Sequence, residues 1–177
     1  MTVQKKPYLS VQAFTMLKNL FYLALLAITV SSCSGNGAYK YNQAIYRIDQ
    51  QVAADAEPFY NKISNHMQNG EYDSMALVAD KLEKIADDAL LKIKKIPIPD
   101  AKGAEVLSAK TIRYFEQIRN VFTVYKKIAT APNEEIRATH QEQLTNSSQE
   151  MSDVMKSLQE EQARFAKANG FRIEDKD

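Results

Sequence analysis

The sequence predicts an all-α protein, an up-down-up-down antiparallel four-helix bundle that follows an N-terminal lipoprotein signal peptide. Four long segments carry apolar residues at helical spacing, Gly or Pro marks the short junctions between them, and no segment shows the alternation typical of strands. The chain has 177 residues, of which 45% are hydrophobic, enough for one domain with an ordinary core. Its net charge of +1 gives no field that would attract nucleic acid.

Residues 1–32 have the features of a secretory signal peptide. An uncharged apolar run over 20–30 follows Lys18 and is shorter than the roughly 20 apolar residues that span a bilayer. Its end, Val30-Ser31-Ser32-Cys33, is typical of the lipobox of bacterial lipoproteins, in which small residues precede an acylated cysteine. Because Met16 begins a compact basic start, we expect translation to begin there and not at Met1.

Cys33 is the only cysteine, and we expect it to carry the lipid as the first residue of the mature protein. The covalent lipid is then the only non-protein group predicted, because no thiol remains for a disulfide or a metal site. A free cysteine after an ordinary secretion signal stays open as the alternative. Processing removes three lysines and no acid from the 23 basic and 22 acidic residues, which leaves 20 against 22, or −2. Acyl chains, and not charge, must therefore hold the mature protein at the membrane.

The first half of the predicted bundle consists of a tether and two helices. A flexible tether over 33–38 precedes a helix over about 39–69, which an Asn-Gly pair should end in a left-handed turn. Pro58 lies inside this helix and is expected to bend it, because proline removes a backbone hydrogen bond. A second helix over about 71–96 must stop at Pro97-Ile98-Pro99.

The second half repeats the pattern. Asp100 is expected to cap a third helix over about 101–130. Pro132 suits the first turn of a fourth helix over about 132–169. Helices this long are normal in a bundle, and short loops make consecutive helices antiparallel.

Several segments carry a resemblance to a known family. They are Tyr41-Asn42 with Ile45, Asn69-Gly70, Lys94-Lys95-Ile96-Pro97 and the run Phe165-Ala166-Lys167-Ala168-Asn169-Gly170-Phe171. In these segments the chain resembles the leptospiral-type family of bacterial surface lipoproteins, and the likeness covers most of the mature chain. The resemblance implies a four-helix bundle. Because that family has no established activity, it implies no catalytic residue.

His66 and His140 are candidate ligands for a metal or for haem. Antiparallel packing of the first and fourth helices would place both at one end of the bundle, and a histidine pair can ligate haem or a divalent metal. Neither belongs to the Glu-x-x-His motif of di-metal bundles, because Ile63 and Arg137 stand three residues earlier. The alternative, that both histidines are solvated or hydrogen-bonded at a wet end of the bundle, stays open.

Tyr39, Tyr41 and Tyr46 follow the tether and form a candidate contact with lipid headgroups or a protein partner. Packing in the first turns of the bundle is the alternative. The glycines fit neither a phosphate-binding loop nor a dinucleotide fingerprint, and Gly-x-Ser-x-Gly is absent from the sequence. The acidic residues are spread along helix surfaces with basic partners nearby, so we expect no enzyme.

These observations predict a non-enzymatic binding or structural module of the bacterial cell envelope, with the membrane and an unidentified protein as partners. Ser34, where other lipoproteins have Asp, resembles the pattern of lipoproteins sent onward to an outer membrane. The absence of acid before Asp49 favours the periplasmic face over the cell surface. Two alternatives stay open: haem or metal binding through His66 and His140, and a surface-exposed adhesin or host-interaction lipoprotein.

Overall fold

The computed structural model describes residues 26–27, 36–172 and 174–175. The predicted all-α four-helix bundle is confirmed, because consecutive long helices within these residues pack against one another. The helices are α1 (Asn36–Asn69), α2 (Tyr72–Lys94), α3 (Ala104–Ala129) and α4 (Glu134–Ala168). Short loops join them, so their direction alternates along the chain.

A two-residue strand pair accompanies the helices. Strand β1 (Leu26–Ala27) pairs antiparallel with β2 (Glu174–Asp175), and Leu26 lies opposite Asp175. Strand β1 belongs to the predicted apolar core of the signal peptide.

The first two helices differ from the sequence prediction at their ends. Helix α1 begins at Asn36, so residues 36–38 of the predicted tether are helical, and it continues through Pro58. It ends at Asn69 as expected, because Gly70 adopts a left-handed backbone with φ of 72°. Helix α2 ends at Lys94, two residues before the predicted end.

The predicted caps of the last two helices are corrected. Helix α3 begins at Ala104, and Gly103, with φ of 85°, occupies the N-cap position. Asp100 is therefore three residues too early to cap it. Helix α4 begins at Glu134, and the Asn133 side chain accepts a hydrogen bond of 2.9 Å from the Ile136 amide. Pro132 thus precedes the cap instead of starting the helix.

Helix α3 contributes large aromatic side chains to the core. Its Phe115, Phe122 and Tyr125 are among the largest fully buried side chains. Helices α2 and α4 pack closely on either side of α3, and α1 packs on α2, whereas α1 and α4 approach one another at fewer places. Among the described residues no helix is both long enough and apolar enough to cross a bilayer.

The two ends of the bundle hold different segments. At the tether end, Gly37 at the start of α1 lies against Pro99 in the α2–α3 loop, and the Asn169 side chain donates a 3.0 Å hydrogen bond to the Lys102 carbonyl. The far end holds the α1–α2 turn and the α3–α4 junction.

Candidate functional site

The predicted anchor, Cys33, directly precedes the start of the bundle in the sequence. Cys33 itself is outside the described residues, as is the predicted signal peptide apart from Leu26–Ala27. Cys33 is three positions before Asn36, the first residue of α1. An extended chain of that length spans at most about 10 Å. A lipid on Cys33 would therefore hold the tether end close to the membrane.

Two of the three candidate tyrosines pack against aromatic rings at the tether end. Tyr41 is buried and meets the Phe165 ring edge-on, at 6.3 Å between centroids. Tyr39 is half-buried and meets Phe171 edge-on at 6.0 Å. Such pairs stabilise packing beyond the area that they bury. Tyr41 is therefore part of the core, which agrees with the alternative that these tyrosines pack in the first turns of the bundle. Tyr39 and Tyr46 each keep some exposed surface.

The two histidines lie at the same height near the far end. Tyr41 in α1 contacts Phe165 in α4, and counting 25 residues from each toward the far end reaches His66 and His140. His66 Nδ1 lies 2.6 Å from a carboxylate oxygen of Glu71, which fixes the ring. His140 Nδ1 is buried and has no hydrogen-bond partner within the described residues. One ring is thus engaged by a carboxylate and the other is unsatisfied.

A third ligand for a protein-only metal site is missing from this region. The described part of the chain holds no group of three or more His, Cys, Asp or Glu side chains suited to a metal ion. Any metal held by His66 and His140 would need water or another small molecule to complete its coordination.

The bundle also contains a buried carboxyl group that the sequence pattern alone did not identify as a functional candidate. Asp49 in α1 is only 9% exposed, and its Oδ1 accepts a 2.9 Å hydrogen bond from the Tyr114 hydroxyl of α3. Burial raises the pKa of Asp49 to about 6, and the hydrogen bond from Tyr114 offsets part of that rise. Asp49 stands four residues after Ile45 and three before Val52, both buried, so its place on the apolar stripe was readable from the sequence.

A small cavity lies beside this carboxyl group, between α1, α3 and α4. Its volume is about 20 Å³, room for about one water molecule and too little for an organic ligand. The lining residues are Ile45, Tyr46, Asp49, Tyr114, Phe115, Met155, Leu158, Gln159 and Gln162. Tyr46, the third candidate tyrosine, is thus part of this lining.

Arg137 joins three elements at the far end. Its guanidinium donates to the carbonyl oxygens of Ile128 at 3.2 Å and Ala131 at 3.1 Å, and it pairs with Glu134. It also lies over the Tyr72 ring, 3.7 Å from the centroid. These contacts satisfy carbonyl groups at the C-terminal end of α3 and hold α2 and α4 beside it. The sequence pattern did not indicate this role; it showed only that Arg137 stands three residues before His140, where a di-metal motif would have Glu.

The chain matches no protein-family model, no curated protein and no solved structure. The resemblance to the leptospiral-type family of surface lipoproteins therefore stays a prediction.

Proposed function

We propose that the protein is an outer-membrane lipoprotein of the bacterial cell envelope, anchored by a lipid on Cys33 and held at the periplasmic face. The observation that carries the proposal is the order of segments: an apolar run, then Val30-Ser31-Ser32-Cys33, then a helical bundle that begins at Asn36. Two or three acyl chains anchor a protein stably, whereas one alone binds marginally.

We propose further that the bundle acts as a non-enzymatic binding or structural module. The cavity beside Asp49 has room for about one water molecule, which is too small for a substrate. An open groove of about 340 Å³ between α3 and α4 is lined mainly by charged and polar side chains. These features favour contact with a protein over the helix surfaces.

Lipidation is tested by metabolic labelling with palmitate. The wild-type protein is expected to incorporate the label and to partition into detergent, whereas Cys33→Ala is expected to lose both properties. Ser34→Ala is the matched control and should keep the label, because it leaves the acylated sulfur in place. Label retained in Cys33→Ala, or none in the wild type, would contradict the proposal.

Membrane sorting is tested at the neighbouring position. We expect Ser34→Asp to move the labelled protein from the outer to the inner membrane, as measured by density-gradient separation of the two membranes. Palmitate incorporation should not change. An unchanged distribution would contradict the proposed role of Ser34.

Protease treatment of intact cells separates the periplasmic face from the cell surface. We expect the bundle to be protected until the outer membrane is opened. Digestion in intact cells would instead favour the adhesin or host-interaction alternative.

Crosslinking in native membranes, followed by mass spectrometry, tests whether the protein has a protein partner. We expect one partner joined through one helix face. The absence of any reproducible crosslink would contradict the proposed partner.

A second candidate function, metal or haem binding, rests on His66 and His140. The buried and unpaired Nδ1 of His140, and the carboxylate that fixes the His66 ring, favour it, because ligating histidines are commonly oriented by a carboxylate. Protein purified without chelator should then contain metal or show haem absorbance, and His140→Ala should remove it. Asn65→Ala, on an exposed residue of the same region, is the control. Absence of both signals from the wild type would exclude this candidate.

A further inference from the structure

The loop between α2 and α3 keeps an isoleucine exposed at its middle. Ile98 is 50% exposed and lies between Pro97 and Pro99. Ile96, two residues earlier, packs against the core instead. The two prolines fix their own backbone φ angles and restrict the residues before them. The loop thus holds one isoleucine inward and presents the other to the surroundings.

This loop lies beside the predicted lipid. Gly37, in the first turn of α1, is in contact range of Pro99. Gly37 is four positions after Cys33 in the sequence, and an extended chain over four positions spans at most about 14 Å. An acylated Cys33 would therefore hold Ile98 within reach of the bilayer that takes up its acyl chains.

We propose that Ile98 inserts into the interfacial region of that bilayer, so that the α2–α3 loop is a second, reversible membrane contact. The inference rests on the proposed lipidation of Cys33. A short tether makes the second contact intramolecular, so the effective concentration of loop near lipid is high and one apolar side chain suffices. Lys95 and Lys102 are exposed on either side of Ile98 and are placed to meet lipid phosphates.

Apolar insertion is the main contribution, because charge at the tether end is mixed. Asp100 in the loop and Glu105 in the first turn of α3 are both exposed and offset part of the lysine charge. Replacing Ile98 should therefore weaken the membrane contact more than added salt does. Bringing a half-exposed isoleucine into an apolar environment should favour the inserted state by about tenfold.

The experiment uses the natively lipidated full chain in phosphatidylcholine vesicles. Because lipid occupies the only native cysteine, an introduced cysteine is the one free thiol and takes an environment-sensitive fluorophore. The fluorophore is placed either on Asp100→Cys, beside Ile98, or on Asn65→Cys, an exposed position of α1 near the far end. Quenching by lipids with a headgroup-level nitroxide measures the inserted fraction.

We expect quenching at position 100 and none at position 65. Ile98→Asp should lower the inserted population about tenfold. Ile136→Asp is the matched control, since Ile136 is 39% exposed in the first turn of α4 at the far end, and it should change nothing.

Two results would overturn the inference, and they are distinguishable. If the protein floats with vesicles but position 100 stays as water-exposed as position 65, or Ile98→Asp changes nothing, the loop contact is wrong and the lipid anchor stands. If the protein does not float with vesicles and Cys33 reacts with maleimide, the proposed lipidation is wrong and the loop contact falls with it.

Discussion

The α2–α3 and α1–α4 seams, which are the interfaces between those pairs of helices, place charged side chains differently. In the α2–α3 seam, charged side chains lie at the rim, where Lys126 pairs with Asp80 and Arg119 pairs with Asp87, each at 2.7 Å. In the α1–α4 seam, the Asp49 carboxyl lies inside, where Tyr114 of α3 donates a hydrogen bond to it, next to a cavity with room for about one water molecule.

The difference indicates where the bundle is weakest. Rim ion pairs keep most of their hydration, so they cost little and stabilise little. A buried carboxyl loses its hydration, and the single hydrogen bond from Tyr114 replaces only part of it. Helix α1 also approaches α4 at fewer places than the consecutive helices approach one another. We infer that the α1–α4 seam opens before the α2–α3 seam does.

The largest expected effect is a loss in the free energy of unfolding when either of two leucines is shortened to alanine. Leu82 of α2 is fully buried in the close-packed part of the core, whereas Leu158 of α4 lines the cavity beside Asp49. We expect Leu82→Ala to lower the free energy of unfolding by about 4 kcal/mol and Leu158→Ala by about 2.5 kcal/mol, because a seam with room for water relaxes more easily. Urea unfolding followed by circular dichroism measures both. Equal losses, or a larger loss for Leu158→Ala, would contradict the comparison.

A smaller effect is expected from Asp49→Asn, and it depends on pH. The pKa of Asp49 is raised from 3.8 to about 6 in the folded protein, so the folded state binds the proton more tightly than the unfolded state. Below pH 3.8 the carboxyl group is neutral in both the folded and the unfolded protein, so ionisation of Asp49 does not lower stability there; stability falls as the pH rises through about 6. Asparagine stays neutral and keeps an acceptor for Tyr114. We therefore expect Asp49→Asn to stabilise the protein by about 2–3 kcal/mol at neutral pH and hardly at all in acid.

Urea unfolding at neutral and acidic pH tests this expectation. Asp55→Asn is the matched control, because Asp55 is an exposed aspartate of the same helix and should change stability little at either pH. A stabilisation by Asp49→Asn that is the same at both pH values would show that ionisation of Asp49 is not the cause.

The fold was predictable because its signals are local. Apolar residues at helical spacing and the Asn-Gly and Pro-Ile-Pro junctions identify four helices without reference to distant residues. The exact starts were less predictable. Asp100 satisfies the composition rule for a cap, yet the loop continues to Gly103, where the Lys102 carbonyl meets Asn169 of the C-terminal segment. Contacts between distant segments decide such boundaries.

The buried polar pair needed information that spacing does not carry. Asp49 and Tyr114 are 65 residues apart, and only the relative height of α1 and α3 brings the hydroxyl to the carboxylate. The stripe that contains Asp49 was visible, but its partner was not. Tyr41 illustrates the same limit, because its proximity to the tether suggested a membrane contact, whereas Phe165 of the last helix covers it.

The smallest expected effect is the coupling energy of an ion pair at the rim, which double-mutant cycles compare with the coupling energy of the buried pair. Arg119 and Asp87 have side chains 50% and 45% exposed, so a double-mutant cycle with Arg119→Ala and Asp87→Ala should give a coupling below about 1 kcal/mol that falls with added salt. The matching cycle with Tyr114→Phe and Asp49→Ala should give about 1.5–3 kcal/mol at neutral pH, the range for a hydrogen bond to a charged group. Salt should hardly change it, because burial keeps ions away. If the rim pair coupled as strongly as the buried pair and resisted salt equally, the distinction between the two seams would be wrong.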